Sequence, residues 1–220
     1  MGAGQTASST HLRPTARPAP NENLTRMAVT VANQTKRLTR LVDHMLDVSR
    51  IMAHRLTLTE RRVDLSRLLR ELAPTFEESA ARAHCELNWT IEDDVVGTWD
   101  EDRLSQLVSS LIDNAVKFGA GKPVDITLRS DDGVAVLSVR DQGIGIPADR
   151  IESIFEPFVR AVSARNFGGL GLGLFTAKAI TDAHGGEIAV ESEPNKGATL
   201  TVRLPRSNAP RAHARSTELH

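Results

Sequence analysis

The amino-acid sequence predicts an α+β fold: a two-layer α/β sandwich with a mixed, antiparallel-rich sheet, preceded by one long coiled-coil-like helix. Three observations predict it. Residues 22–56 hold no Gly or Pro and repeat apolar side chains at spacings of three and four. From about residue 57 onward, helix-period segments interleave with segments that alternate like strands. Two turn signals, Asp131-Asp132-Gly133 and Pro194-Asn195-Lys196-Gly197, each separate a pair of alternating runs.

The elements follow in order. Residues 1–21 are rich in Ser, Thr, Pro, Ala and Gly, and Pro14, Pro18 and Pro20 oppose a helix, so a disordered arm is expected. Over 22–56, Leu38, Leu41, Val42, Met45, Val48 and Ile51 make a seam, while Lys36, Arg37, Arg40 and His44 take other faces. A lone helix would leave that seam wet, so it is expected to pair with another helix or another copy of itself. Thr57 to Arg62 reads as a short strand. Asp64 suits the N-cap of a helix carrying Leu65, Leu68, Leu69 and Leu72. Cys85 to Ile91 alternates like a strand. Asp100 can cap a helix through Leu104, Leu107, Leu111 and Ile112 to about Phe118. Val124 to Arg129 and Val134 to Arg140 form a hairpin. Pro147 fits the first turn of a short helix reaching Ile154. Residues 155–170 have little periodicity, as in a mobile lid. Leu172 to His184 reads as a helix closed by Gly185-Gly186. Glu187 to Glu193 and Ala198 to Leu204 make the last hairpin. The domain is bounded at 57–205, and 206–220, with Pro210 and scattered charges, reads as a disordered tail.

Bulk properties narrow the function. The 220 residues carry a formal net charge of -1, so no strong field points to nucleic acid or a membrane surface. Cys85 is the one cysteine, which excludes an intrachain disulfide and a cysteine zinc site and suits a reducing, cytoplasmic setting. No apolar run approaches the roughly 18 residues of a transmembrane helix, and the N-terminus lacks the apolar core of a signal peptide.

Two glycine-rich segments carry the chemistry. In Asp141-Gln142-Gly143-Ile144-Gly145-Ile146-Pro147, a carboxylate ends a strand just ahead of the glycines. Such a carboxylate accepts a hydrogen bond from an exocyclic amine, which selects adenine over guanine, and the glycines let the backbone approach a flat ring. Alone, the segment reads equally as an ordinary Asp in a strand-to-turn corner. Gly168-Gly169-Leu170-Gly171-Leu172-Gly173-Leu174 precedes a helix, where free N–H groups and the helix dipole attract phosphate oxygens. A flexible loop is the plain alternative. A dinucleotide fingerprint fits poorly, because no strand precedes these glycines, and the absence of a GK[ST] sequence excludes a P-loop. Asn114 and Lys117 share one face of the helix after Asp100. An Asn carbonyl suits Mg2+ and a Lys can offset phosphate charge, although a solvated face explains both residues by itself. Arg160 and Arg165 lie in the lid segment, as phosphate contacts or as solvated arginines.

Together these segments resemble the catalytic ATP-binding domain of bacterial sensor histidine kinases, within the gyrase/Hsp90/histidine kinase/MutL superfamily. Leu111-Ile112-Asp113-Asn114-Ala115-Val116-Lys117-Phe118 looks like the family's Asn-box, Asp141–Pro147 like its first glycine box, Phe155-Glu156-Pro157-Phe158-Val159-Arg160 like its phenylalanine box, and Gly168–Leu174 like its second glycine box. The resemblance covers about residues 57–205 and implies a Bergerat-type ATP-binding fold. It implies that Asp141 binds the adenine amine, that Asn114 ligates Mg2+ and serves catalysis with Arg160, and that Lys117 neighbours the phosphates. Gly143, Gly145, Ile146, Phe158, Gly169, Leu170, Gly171, Leu172 and Gly173 complete the implied ATP contacts.

The stretch Leu38 to Arg50 resembles the second helix of the kinase dimerisation hairpin, so a homodimer or heterodimer through the long helix is implied. The acceptor box, similar to His-Glu-Leu-Arg-Thr-Pro, does not occur. His11-Leu12-Arg13-Pro14-Thr15 echoes it faintly among helix-breaking prolines, and His44 reads as a solvated helix-face histidine. Ser110 stands where kinases often carry Asn and related ATPases a Glu base, and a Ser hydroxyl is no general base at neutral pH. The resulting expectation is a histidine kinase catalytic module, truncated or split ahead of its acceptor helix. It would bind Mg-ATP, pass the γ-phosphoryl group to a histidine-bearing partner chain, and from there to a response regulator receiver domain. The alternatives are a non-transferring ATP-binding dimerisation module and an anti-sigma-type serine kinase.

Overall fold

The computed structural model describes residues 56–119, 121–159 and 170–207, together with residues 24, 25, 27, 28, 31, 35, 48, 49 and 51–53. The predicted arm 1–21, most of the predicted long helix with His44, the residues Arg160, Arg165, Gly168 and Gly169, and the tail from 208 lie outside the described residues. The chain divides into two units, Met1–Met45 and Leu46–His220. In the first, the described positions are helical, and the Thr35 hydroxyl donates to the Val31 carbonyl one turn back at 3.0 Å. Leu24, Met27 and Val31 there are each more than 60% exposed, which extends an apolar stripe at spacings of three and four.

The second unit holds the predicted sandwich. Strand β1 (Arg61–Asp64) leads into helix α1 (Leu65–Arg82), followed by β2 (Leu87–Ile91), β3 (Val96–Trp99), helix α2 (Glu101–Phe118), β4 (Val124–Asp131), β5 (Val134–Arg140), two single 3-10 turns, helix α3 (Gly173–Ala183), β6 (Glu187–Glu193) and β7 (Gly197–Pro205). Five strands form one sheet in the order β2-β4-β5-β7-β6. Only the β2–β4 pair in it is parallel, and the other pairs are antiparallel. β1 and β3 form a separate antiparallel ribbon.

Local chemistry explains the helices. Asp64 accepts the Arg67 N–H at 3.1 Å and Asp100 accepts the Arg103 N–H at 3.0 Å, so each satisfies a donor that its helix start leaves open. Glu101 and Asp102 in the first turn of α2 and Lys117 in its last turn match the helix dipole. Its stripe of Leu104, Leu107, Val108, Leu111, Ile112 and Ala115 is buried against the sheet. It shares one core with Ile126, Leu128, Leu137, Val139, Val202 and Leu204 of β4, β5 and β7. Truncating one such Leu to Ala costs about 2–5 kcal/mol.

The two hairpins form where the turn residues place them. Asp132 and Gly133 both have positive φ, the two-residue turn whose twist matches the flanking strands. Asn195 takes the left-handed conformation in the second turn. Three details differ from the sequence-based expectation. The first strand lies at Arg61–Asp64 rather than Thr57–Arg62, because its partners in β3 run from Val96 to Trp99. β3 was not expected at all: its four residues are too few for a period to register. The Asp-capped α1 also runs through Pro74 to Arg82, tolerating a residue that usually interrupts helices.

Arg206 joins the ribbon to the main sheet. Its guanidinium donates to the Val96 carbonyl at 2.7 Å, the Ser130 hydroxyl at 2.7 Å and the Asp94 carbonyl at 3.2 Å. Trp99 adds an indole N–H bond to the Pro205 carbonyl at 2.8 Å. Arg206, one residue past the predicted boundary, thus ties into the domain through these bonds.

Candidate functional site

The site is built around the C-terminal half of α2. Asp141 follows β5 directly and keeps strand pairing, its N–H donating to the Ala198 carbonyl at 2.9 Å. Its side chain is buried, and its Oδ1 accepts the Gly143 N–H at 2.8 Å. Burial pushes the carboxyl above the usual Asp range, and nearby backbone N–H groups of Gly143 and Ala198 offset only part of that. The carboxylate is thus pre-positioned and poorly solvated, the state in which a donated hydrogen bond from a ligand gains most.

The first glycine loop is clamped on two sides. A Cβ at Gly143 would lie 1.8 Å from the Phe118 carbonyl oxygen, and the Ile144 N–H donates to that same oxygen at 3.3 Å. A Cβ at Gly145, where φ is +66°, would lie 2.0 Å from the Glu193 carbonyl. The Asn195 N–H donates to the Ile144 carbonyl at 2.8 Å, and the Ile146 N–H donates to the Ser192 hydroxyl at 2.8 Å. The loop is thus wedged between the end of α2 and the β6–β7 turn. These glycines face protein backbone, so the close approach they permit is to α2 and the hairpin rather than to a flat ring. Ser192 and Gly197 hold the loop from the hairpin side; the sequence reading had assigned Gly197 to a turn and Ser192 to a strand, with no site role.

The second glycine segment reaches the same helix. A Cβ at Gly173 would sit 3.5 Å from Asn114 Nδ2 and 3.9 Å from Ser110 Cβ. The start of α3 therefore faces Asn114, about a turn and a half along α2 from its C-cap Gly119, where Asp141 packs. Leu172, at the start of α3, is buried, and among the described residues no side chain caps that helix. Its first N–H groups keep their affinity for an anion. Leu170 is exposed, and the Gly171 carbonyl accepts the Phe158 N–H at 3.1 Å. Phe158 itself is exposed, with φ of +65°.

The structure thus brings Asn114 to Gly173, Asp141 and Gly143 to the end of α2, and Gly145 and Ile146 to the β6–β7 hairpin. Lys117 lies on the same helix, its ammonium 4.6 Å from the centroid of the Phe118 ring. Ser110 donates its hydroxyl to the Gln106 carbonyl at 2.9 Å, so its oxygen serves the helix. Arg160 and Gly169 lie outside the described residues. Among the described residues no group of three His, Cys, Asp or Glu side chains stands ready to hold a metal. The buried Asp141 carboxyl thus offers an acceptor beside the end of α2, and the start of α3 offers N–H donors facing Asn114. The lone thiol, Cys85, is buried, which pushes it above its ordinary range, and its S–H donates to the Lys122 carbonyl at 3.0 Å.

A mixed sheet under three helices, with a buried Asp and an open helix start flanking one helix, defines a nucleotide-binding domain. The chain belongs to the histidine kinase-, DNA gyrase B-, and HSP90-like ATPase family, whose model matches residues 99–208. It carries a C-terminal ATP-binding domain of the sensor histidine kinase kind. It is 39% identical over 192 residues to the sensor histidine kinase RppB of Synechocystis sp., covering 86% of this chain and 42% of that protein. It is 33% identical over 190 residues to the sensor protein SrrB of Staphylococcus aureus, covering 85% of this chain and 32% of that one. The chain therefore spans less than half the length of these curated relatives. Among solved structures it is similar to full-length ShkA in complex with AMPPNP, with a TM-score of 0.69, 31% identity, and coverage of 82% of this chain and 38% of that one. It is also similar to the catalytic domain of the histidine kinase ThkA, with a TM-score of 0.60, 28% identity, and coverage of 69% and 97%. Among the described residues no helix is long and apolar enough to cross a membrane.

Proposed function

We propose that the chain is the catalytic module of a two-component histidine kinase. It binds Mg-ATP and transfers the γ-phosphoryl group to a histidine outside these 220 residues, on a partner chain, from which a response regulator receiver domain takes it. The observation that carries the reading is the arrangement around α2: a buried Asp141 at one end, and Asn114 against the uncapped start of α3. In this reading Asp141 accepts the adenine amine, Asn114 ligates Mg2+, and Gly171, Leu172 and Gly173 face the phosphates. Ile146, Phe158 and Leu170 border the nucleotide, Lys117 offsets phosphate charge, and Gly169 and Arg160 act from the lid. Bound Mg2+ supplies charge neutralisation on the phosphates. The protein's own part is to hold the nucleotide and align it with an acceptor imidazole, which is a competent nucleophile when neutral. Pairing through the long helix as homodimer or heterodimer, in the cytoplasm, brings the acceptor within reach.

Incubation with labelled ATP and a separate acceptor hairpin tests this. Acid-labile phosphate on the hairpin is the expected result. Bound ATP with no acid-labile phosphate would leave a non-transferring dimerisation module, and acid-stable phosphoserine on a partner would indicate a serine kinase.

A further inference from the structure

Three elements meet at the Asp100 carboxylate and backbone. Its Oδ1 accepts the Arg103 N–H at 3.0 Å and caps α2. Its Oδ2 accepts the Thr59 N–H at 2.8 Å, which belongs to the connector that leads from the upstream helical residues into β1. Its own N–H donates to His184 Nε2 at 3.0 Å, and the His184 Nδ1 donates to the Ile180 carbonyl at 2.8 Å. These bonds orient the imidazole at the C-cap of α3, with one ring nitrogen on Asp100 and the other on Ile180. Asp100 and His184 are both buried, whereas Thr59 is exposed.

This cluster lies at one end of a two-helix lever. α2 starts beside the end of α3, while Ser110 and Asn114 of α2 lie against Gly173 at the start of α3. The helices are antiparallel and pinned at both ends. From Asp100 to Asn114 the helix rises about 1.5 Å per residue, roughly 20 Å in all. A packed helix pair moves as a unit, so a displacement at one pin reaches the other without being absorbed between them.

From this we propose that Asp100 is a positioning residue that couples the connector at Thr59 to the nucleotide site at Asn114 through the α2–α3 pair. Residues 56–60 and the bound nucleotide then bias the same two-helix unit. The coupling is reciprocal: a nucleotide that orders the α3 start also tightens the Thr59–Asp100 bond. The inference rests on the nucleotide-site reading above and adds what that reading leaves unassigned, the route by which a change ahead of β1 reaches the phosphates. Two buried groups unused in ATP binding, Asp100 and His184, thereby acquire a role.

Hydrogen–deuterium exchange of the whole chain, with and without AMPPNP and Mg2+, tests the coupling. Nucleotide is expected to slow exchange in the peptide covering residues 56–62 by about fivefold or more. Two variants should cancel that slowing. Asp100→Asn can still cap α2 through its amide oxygen, but its NH2 then faces the Thr59 N–H and cannot accept it. Thr59→Pro removes the donor at an exposed position and leaves Asp100 and His184 untouched, so it carries the test even if Asp100→Asn folds poorly. In both variants nucleotide affinity, read by calorimetry, should fall by no more than that same factor of about five. A merely structural Asp100 would lower affinity and stability together without separating them from the exchange signal. Nucleotide-dependent slowing that persists in Thr59→Pro, or a wild-type chain that binds nucleotide without slowing at 56–62, would overturn the coupling. A wild-type chain that binds no AMPPNP would overturn the nucleotide-site reading itself, and the coupling with it.

Discussion

Asp141 Oδ1 and the Gly143 N–H lie 2.8 Å apart, so the carboxylate that ends β5 is locked by the loop it introduces. The bond fixes the direction of the side chain before any ligand arrives. It also makes Asp141 more than a contact residue, since removing the carboxylate leaves the Gly143 N–H without this acceptor. Asp141→Ala should therefore abolish ATP binding. Asp141→Asn, which can still accept the Gly143 N–H, should weaken it by about one to two orders of magnitude, the worth of a charge-assisted hydrogen bond. Calorimetric titration of both variants separates loop order from ligand contact, and unchanged affinity in either would refute the adenine role.

Asn114→Ala should weaken Mg-ATP by about tenfold more than Mg-free ATP. The side chain faces the start of α3, where phosphates and metal would meet. Titrations with and without the metal give the ratio directly, and equal losses count against ligation.

The two buried aspartates should respond to pH with opposite sign. Burial raises Asp141, so its contribution to stability is full below the ordinary value of 3.8 and is lost as pH rises through its raised folded value. Asp100 behaves the other way. Its burial acts upward, but the Thr59 and Arg103 N–H bonds, with the charge of Arg103, outweigh it and hold the carboxyl below 3.8. Its contribution is present above 3.8 and lost as pH falls through its lowered folded value. In thermal melts against wild type, Asp141→Asn should gain relative stability as pH rises above that value. Asp100→Asn should be the less stable at neutral pH, with the deficit fading in acid. Differences that do not vary with pH would contradict both assignments.

Gly143→Ala should destabilise the domain by about 1–3 kcal/mol or more, because its Cβ meets a backbone oxygen that cannot move aside. Gly133→Ala is the control: nothing lies within 4 Å of its Cβ, and only the φ of +78° is strained, a cost of about 1–2 kcal/mol. Denaturant midpoints rank the two, and only Gly143→Ala should also reduce nucleotide affinity.

Some of this was readable before folding. Asp64 and Asp100 each stand one residue ahead of a helix and cap it as expected, because N-capping is a contact within four residues. Asp132-Gly133 turned a hairpin because only positive φ joins two twisted strands that tightly. β3 escaped notice since its identity depends on pairing with β1, more than thirty residues earlier. Arg206 looked like the first residue of a tail, and its three carbonyl and hydroxyl partners lie on segments 76 to 112 residues away.

The candidate site divides the same way. Its residue types and their order along the chain were legible, since a carboxylate, an Asn and glycines at turns announce themselves by chemistry. What the glycines are for was not. Gly143 and Gly145 read as room for a ring, yet their Cβ directions are filled by the Phe118 and Glu193 carbonyls. His184 read as the end of a helix, and its bond to Asp100 spans 84 residues of chain.

The sequence alone determined the helices, the caps, the two hairpin turns and the set of groups able to hold a nucleotide, because each depends on neighbours a few residues apart. Only the tertiary structure decided which of those groups meet. Docking α3 antiparallel on α2 puts Gly173 against Asn114 at one end and His184 against Asp100 at the other. That pairing arises from burial of two apolar helix faces on one sheet, and no local pattern in the chain encodes which residues the packing will bring into contact.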